Sequence, residues 1–309
     1  VTFLLIVPLV LPFAMPALAR RALERLAPAT ALWVVTCSTL VVACCSLTAL
    51  GAFVLTGLLK LPLFAALGKL VYPLRTASDL FVVPAAAFSV GALAVCLWTV
   101  IRTATRQARA FHVATAEAGC RATAGDLCVI DSPRPDAYAL PGRPHRIVVT
   151  TGMLRSLGPD EREALFAHER AHNAGGHHYF LAFAELAALC HPGLRPVGEV
   201  IRFAVERAAD EAAAAAVGDR RLTARAIGRA ALAARAAHGE RPSFAAAATT
   251  GPVPQRVAAL LAAPRPPHRA APWIAGLLVA CATVSVCTSA TGVIGFHHEV
   301  EIAQGEEGR

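Results

Sequence analysis

Apolar residues in this chain gather into long unbroken blocks, and the polar residues into one extended segment between them. Four blocks approach or exceed the ~20 apolar residues that a helix needs to cross a bilayer: Val1 to Ala19, about Ala31 to Leu59, about Leu80 to Ile101, and Trp273 to Phe296. The first contains Pro8, Pro12 and Pro16, tolerable in lipid where neighbouring helices cover the freed carbonyls. Ala17-Leu18-Ala19 imitates a signal-peptide cleavage site, but no basic residues precede the block and Arg20-Arg21 follow it directly, as a cytoplasmic anchor would. An uncleaved span is therefore expected.

The polar segment opens with an arginine-rich helical stretch, Arg102 to about Ala118, continuing the third span. Leu127-Cys128-Val129-Ile130, Ala137-Tyr138-Ala139-Leu140 and His145 to Thr151 read as strands, separated by Arg134-Pro135-Asp136 and Pro141-Gly142. A helix then starts at Gly158-Pro159-Asp160-Glu161, with proline at its first position and acids in its first turn, and finds its first plausible stop at Gly175-Gly176. Tyr179 to Val205 forms a hydrophobic hairpin, and Leu222 to His238 a packing helix with a solvated arginine face. Pro242 to Ala271 reads as a linker in which Pro254-Gln255-Arg256-Val257 begins a short helix.

Composition supports a membrane protein: 56% of residues are hydrophobic, 16% are charged and the mean hydropathy is +0.53. The net charge of +8 comes without a basic run interleaved with aromatics, so it implies arginines facing headgroups and cytosol and no direct nucleic-acid partner. Cys37, Cys44, Cys45, Cys96, Cys281 and Cys287 lie in apolar blocks, and Cys120, Cys128 and Cys190 lack CxxC spacing, which argues against a cysteine metal site or a disulfide framework. Basic residues follow the first span (Arg20, Arg21, Arg25) and the third (Arg102, Arg106, Arg109), while Glu299, Glu301, Glu306 and Glu307 follow the fourth. The positive-inside rule thus places the polar segment in the cytoplasm. Lys60, Lys69 and Arg75 fit that orientation less well, and residues 61–74 are candidates for an interfacial or re-entrant piece.

The chemistry lies in His168-Glu169-Arg170-Ala171-His172. Residues four apart on a helix are about 40° apart around its axis, so both imidazoles share a face and can share one ion. Glu169 can reach a water at that ion without ligating it, the layout of a zinc-dependent hydrolase. The bland alternative is a surface helix with two chance histidines. A catalytic zinc needs a third protein ligand, and two candidates compete. His178 completes the metzincin string HExxHxxGxxH, but that pattern requires a methionine turn downstream, and Met15 and Met153 both precede the motif. His177 and His178 then read as polar residues near the membrane surface. Glu206 and Asp210, four apart on a downstream helix, suit a gluzincin site in which one carboxylate ligates zinc and the other orients a ligand histidine.

Ala137 to Gly142, Ile147 to Leu154, the HExxH run and Glu206-Arg207-Ala208-Ala209-Asp210-Glu211 together resemble the integral-membrane gluzincin peptidases over about residues 125–220. These include HtpX-type proteases, CAAX prenyl endopeptidases and BlaR/MecR-type antirepressor peptidases. The resemblance implies zinc ligands His168, His172 and Glu206, the base Glu169, and Asp210 supporting a ligand histidine. It implies a mainly α membrane protein with four transmembrane helices and a cytosolic α+β zincin-like (gluzincin) metalloprotease domain between the third and fourth. The expected division is residues 1–101 for the membrane region (spans 1–19, 31–59 and 80–101), 102–271 for the zinc domain and linker, 272–296 for the fourth span and 297–309 for an acidic tail.

The span order favours the BlaR/MecR branch, although only His297 to Arg309 follows the fourth span, so direct β-lactam binding is not expected. The expected activity is a zinc endopeptidase of the plasma membrane with one Zn2+. Its partners are the lipid bilayer and a cytosolic or membrane protein substrate, a transcriptional repressor among the candidates. The alternatives are an HtpX-type quality-control protease and, with less support, an inactive membrane sensor or scaffold. Glu169 would take a proton from the attacking water and return it to the leaving amine. The strand ending near Thr151 is expected to offer its edge to an extended substrate.

Overall fold

The computed structural model describes residues 4–61, 79–119, 123–142, 144–235, 253–262 and 271–304. Residues 62–78, most of the linker and the last five residues lie outside these, and with them nearly all of the re-entrant piece expected at 61–74.

The chain begins with short helical turns over 4–13, followed by α1 (Met15–Arg25). The two pieces meet at a bend of 50°, so the first apolar block is a broken span or a re-entrant loop rather than one straight helix. The break lies just before Pro16, which has no N–H to give the Pro12 carbonyl and sits in the first turn of α1. Pro12 has no N–H to give the Pro8 carbonyl, and the Ser46 hydroxyl donates to that carbonyl instead, at 2.7 Å. His191 Nε2 lies 3.0 Å from the neighbouring Leu9 carbonyl oxygen.

Among the described residues three further helices are long and apolar enough to cross a membrane: α2 (Pro28–Leu58), most of α3 (Asp79–Gly119) and most of α10 (Ala271–Gln304). They expose large apolar side chains, Trp33, Phe88, Trp98 and Ile294 among them, as surfaces facing lipid do. The α3 helix runs past the third apolar block as one piece, carrying the expected arginine-rich extension with it.

Between α3 and α10 stands a four-stranded sheet of β1 (Thr123–Ala124), β2 (Leu127–Ile130), β3 (Ala137–Leu140) and β4 (Arg146–Thr150), in the order β1-β2-β4-β3. β4 pairs parallel with β2 and antiparallel with β3. It is therefore internal, which overturns the expectation that the strand ending near Thr151 offers a free edge; the edge on that side belongs to β3. Thr150 N–H donates to the Asp136 carbonyl at 2.9 Å, and the two-residue alternation of an antiparallel pair then turns the peptide groups of Ala137 and Ala139 away from β4.

Thr150 also caps α4 (Thr151–Ser156) by accepting from Met153 N–H. The helices α5 (Pro159–Ala174), α6 (His177–Cys190), α7 (Arg195–Val217), α8 (Arg220–Arg235) and α9 (Val253–Leu261) follow. The hydrophobic hairpin is α6 and α7 joined by the turn Pro192–Leu194. Its apolar faces share one core with α1 and α2, in which Met15, Val35, Leu181, Val197 and Ile201 are buried together. The helix carrying Glu206 is thus seated directly on a helix of membrane-spanning length.

Candidate metal centre

The α5 helix starts where the sequence predicts, at Gly158-Pro159, and ends at Gly175. Its buried residues are Glu161, Ala164, Leu165, His168, Glu169 and His172, a series at spacings of three and four that forms one helical stripe. The two histidines therefore belong to the buried face, and the surface-helix alternative does not hold. Arg170 fixes the helix against the sheet through two contacts to Asp126, at 2.7 and 3.0 Å. Asn173 adds a hydrogen bond to the Arg146 carbonyl in β4, at 3.2 Å.

The α7 helix supplies the remaining groups. Its buried positions around the site are small, Ala204, Ala209 and Ala213, so its backbone approaches α5 closely and short carboxylates can reach the imidazoles. His168 Nε2 and His172 Nε2 lie 3.1 Å apart. Glu206 Oε2 is 3.7 Å from the first, and Glu206 Oε1 is 3.8 Å from the second. Ligands at about 2.0–2.2 Å from a tetrahedral ion stand roughly 3.3–3.6 Å from one another, so the three side chains suit a shared metal ion. Among the described residues they are the one group of this kind.

Two further observations test that fit. Glu206 Oε1 and both oxygens of Glu169 are buried without a close hydrogen-bond partner, although such groups are costly to leave unmatched. The second is charge. Glu169, Glu206 and Asp210 would carry three negative charges when ionised, against one positive charge on Arg256, and all four side chains are fully buried. With both imidazoles neutral, as ligands must be, a divalent ion closes that balance; without it the buried cluster must hold protons instead.

Glu169 faces the Ala139 amide of β3, and burial lifts its carboxyl to about 7. His168 Nδ1 lies 3.1 Å from Asp210 Oδ1. Burial works against a charged His168, but Asp210 and Glu206 outweigh it and raise the imidazole to about 9. Burial, and then the neighbouring His168, pushes His172 well below its ordinary value.

Five sequence-selected residues meet in this cluster: His168, Glu169, His172, Glu206 and Asp210. His178 does not; its ring packs on Tyr179. Two residues escaped the sequence reading. Arg256, on α9, contacts both α7 carboxylates, with Nη1 2.7 Å from Glu206 Oε2 and Nη2 2.6 Å from Asp210 Oδ1. His177 is buried, with Nδ1 2.9 Å from His172 Nδ1, so it is not the membrane-surface residue expected.

No curated protein and no solved structure matches the chain. Residues 101–194, from the end of the third apolar block through the sheet, α5 and α6 to the turn before α7, match the model of Peptidase family M48, whose members are metal-dependent peptidases.

Proposed function

We propose that this chain is a zinc-dependent endopeptidase embedded in the plasma membrane, with its site on the cytoplasmic side. The observation that carries the reading is the convergence of two imidazole nitrogens and the Glu206 carboxylate beside the fully buried Glu169 carboxyl. The family match over the α5 helix supports it independently, and the arginines after the third apolar block support the orientation.

In this reading His168, His172 and Glu206 hold the ion. Zinc bound there supplies Lewis acidity that polarises a peptide carbonyl and makes a water a better nucleophile. Glu169 removes the water's proton and delivers it to the departing amine. The burial that raises this carboxyl favours its taking up the proton. Asp210 holds His168 by its Nδ1 edge and so aims Nε2 at the ion. The substrate is a cytosolic or membrane protein, a repressor among the candidates.

The test compares wild type with Glu169→Gln, purified in detergent, for bound zinc and for cleavage of fluorescein-labelled casein. One zinc in each protein, with cleavage lowered by about 100-fold or more in the variant, is the expected result. Equal cleavage by both, or a wild type that takes up no zinc, overturns the proposal.

A further inference from the structure

His177 opens α6, immediately after the end of the HExxH helix, and two glycines bring it back to the metal centre. Gly176 adopts the left-handed conformation, with φ of 59°, which reverses the chain between the helices at little cost for glycine. Gly175 leaves space for the returning ring: a Cβ there would lie 2.5 Å from His177 Nε2. The His177 ring stands at 83° to that of His172, with centroids 4.9 Å apart, and its Nδ1 is 2.9 Å from the Nδ1 of His172.

Two imidazole nitrogens hydrogen-bond only if one carries a proton and the other does not. The Nε2 atom of His172 faces His168 and Glu206, so it is the ligating atom and must be bare, which puts the His172 proton on Nδ1. We infer that His177 is a positioning residue for the metal site, accepting that Nδ1–H on its own bare Nδ1 and so fixing the tautomer and ring plane in which His172 meets the ion. This rests on the metal-site reading proposed above. It also makes the two ligand histidines unequal. His168 is backed by a carboxylate, Asp210, and His172 by a neutral ring, a weaker acceptor that leaves His172 the less basic ligand.

The side-chain oxygen of asparagine sits at the same bonded distance as histidine Nδ1, whereas phenylalanine fills the ring's place without an acceptor. Zinc affinity is therefore measured by chelator competition on detergent-purified wild type, His177→Phe, His177→Asn and the control His178→Phe, with melting temperatures recorded alongside. His177→Phe is expected to bind zinc about 10- to 100-fold more weakly, while His177→Asn and His178→Phe stay within about threefold of wild type. If His177→Phe does not fold, His177→Leu carries the same comparison. Wild-type affinity in His177→Phe, or equal weakening in the phenylalanine and asparagine variants, overturns the inference while leaving the metal site standing. A wild type that binds no zinc removes both.

Discussion

Arg256 grips Asp210 at two points, Nε to Oδ2 at 2.8 Å and Nη2 to Oδ1 at 2.6 Å, with both side chains fully buried. Its remaining nitrogen reaches Glu206, so one guanidinium serves both carboxylates on the site face of α7. Such a fork matches carboxylate geometry in a way that an ammonium cannot. Arg256→Met would leave two buried carboxylates without their fixed counter-charge, a loss of about 3–5 kcal/mol in comparable buried pairs. Arg256→Lys, keeping the charge but not the fork, should fall between. Denaturant unfolding of the three proteins with zinc bound checks this, and a methionine variant as stable as wild type would count against it.

The same charge balance makes the metal part of the fold. An ion that binds only the folded chain stabilises it by about 2.7 kcal/mol when present at 100 times its dissociation constant. The wild-type melting temperature should therefore rise with added zinc and fall under a chelator. Glu206→Gln should show little of that dependence. Thermal unfolding across a zinc titration reads both curves; parallel curves would show that Glu206 is not a ligand.

Much of this site was legible because helical spacing and turn chemistry are local. Pro159 and Gly175 bracket the helix, His168 and His172 share its face, and Glu206 and Asp210 repeat at four residues. What was missed depends on chain reversal. The metzincin string points to His178 by counting, but after the left-handed turn at Gly176 the count of an unbroken helix no longer applies, and His177 is the ring that returns. Arg256 lies in a short helix within an Ala- and Pro-rich stretch. A signal did exist: it falls with Val253, Val257 and Leu260 at spacings of three and four, an arginine inside an apolar stripe that the structure buries.

The sheet and the first apolar block teach a similar lesson. The strands of residues 127–130, 137–140 and 146–150 were readable from β-branched and aromatic runs, whereas their spatial order, with β4 between β2 and β3, follows from a crossover that no local pattern encodes. Hydropathy found the first block, but its path depends on which neighbours cover the carbonyls freed by proline. Ser46, distant in sequence, supplies one of those partners.

Glu161 links the start of the HExxH helix to α8, and its titration gives a pH test of that joint. Its Oε2 accepts from Gly158 N–H at 2.9 Å and meets Arg229 Nη1 at 2.8 Å, while Oε1 meets Arg225 Nε at 3.1 Å. Burial pushes the carboxyl up, but the amide and the two guanidinia outweigh it, so the folded value lies below the ordinary 4.5. A lowered carboxyl pKa contributes stability that is fully present above the unfolded value and disappears as pH falls through the folded one. Both arginines are more than half exposed, so solvent screens the pairs and the amide contact carries much of the effect. Glu161→Gln should cost about 1–2 kcal/mol at pH 7, with the gap to wild type narrowing below roughly pH 4. Denaturant unfolding at pH 7 and pH 3.5 measures both gaps. A gap that stays constant between them would mean that the ionised carboxylate does not stabilise this joint.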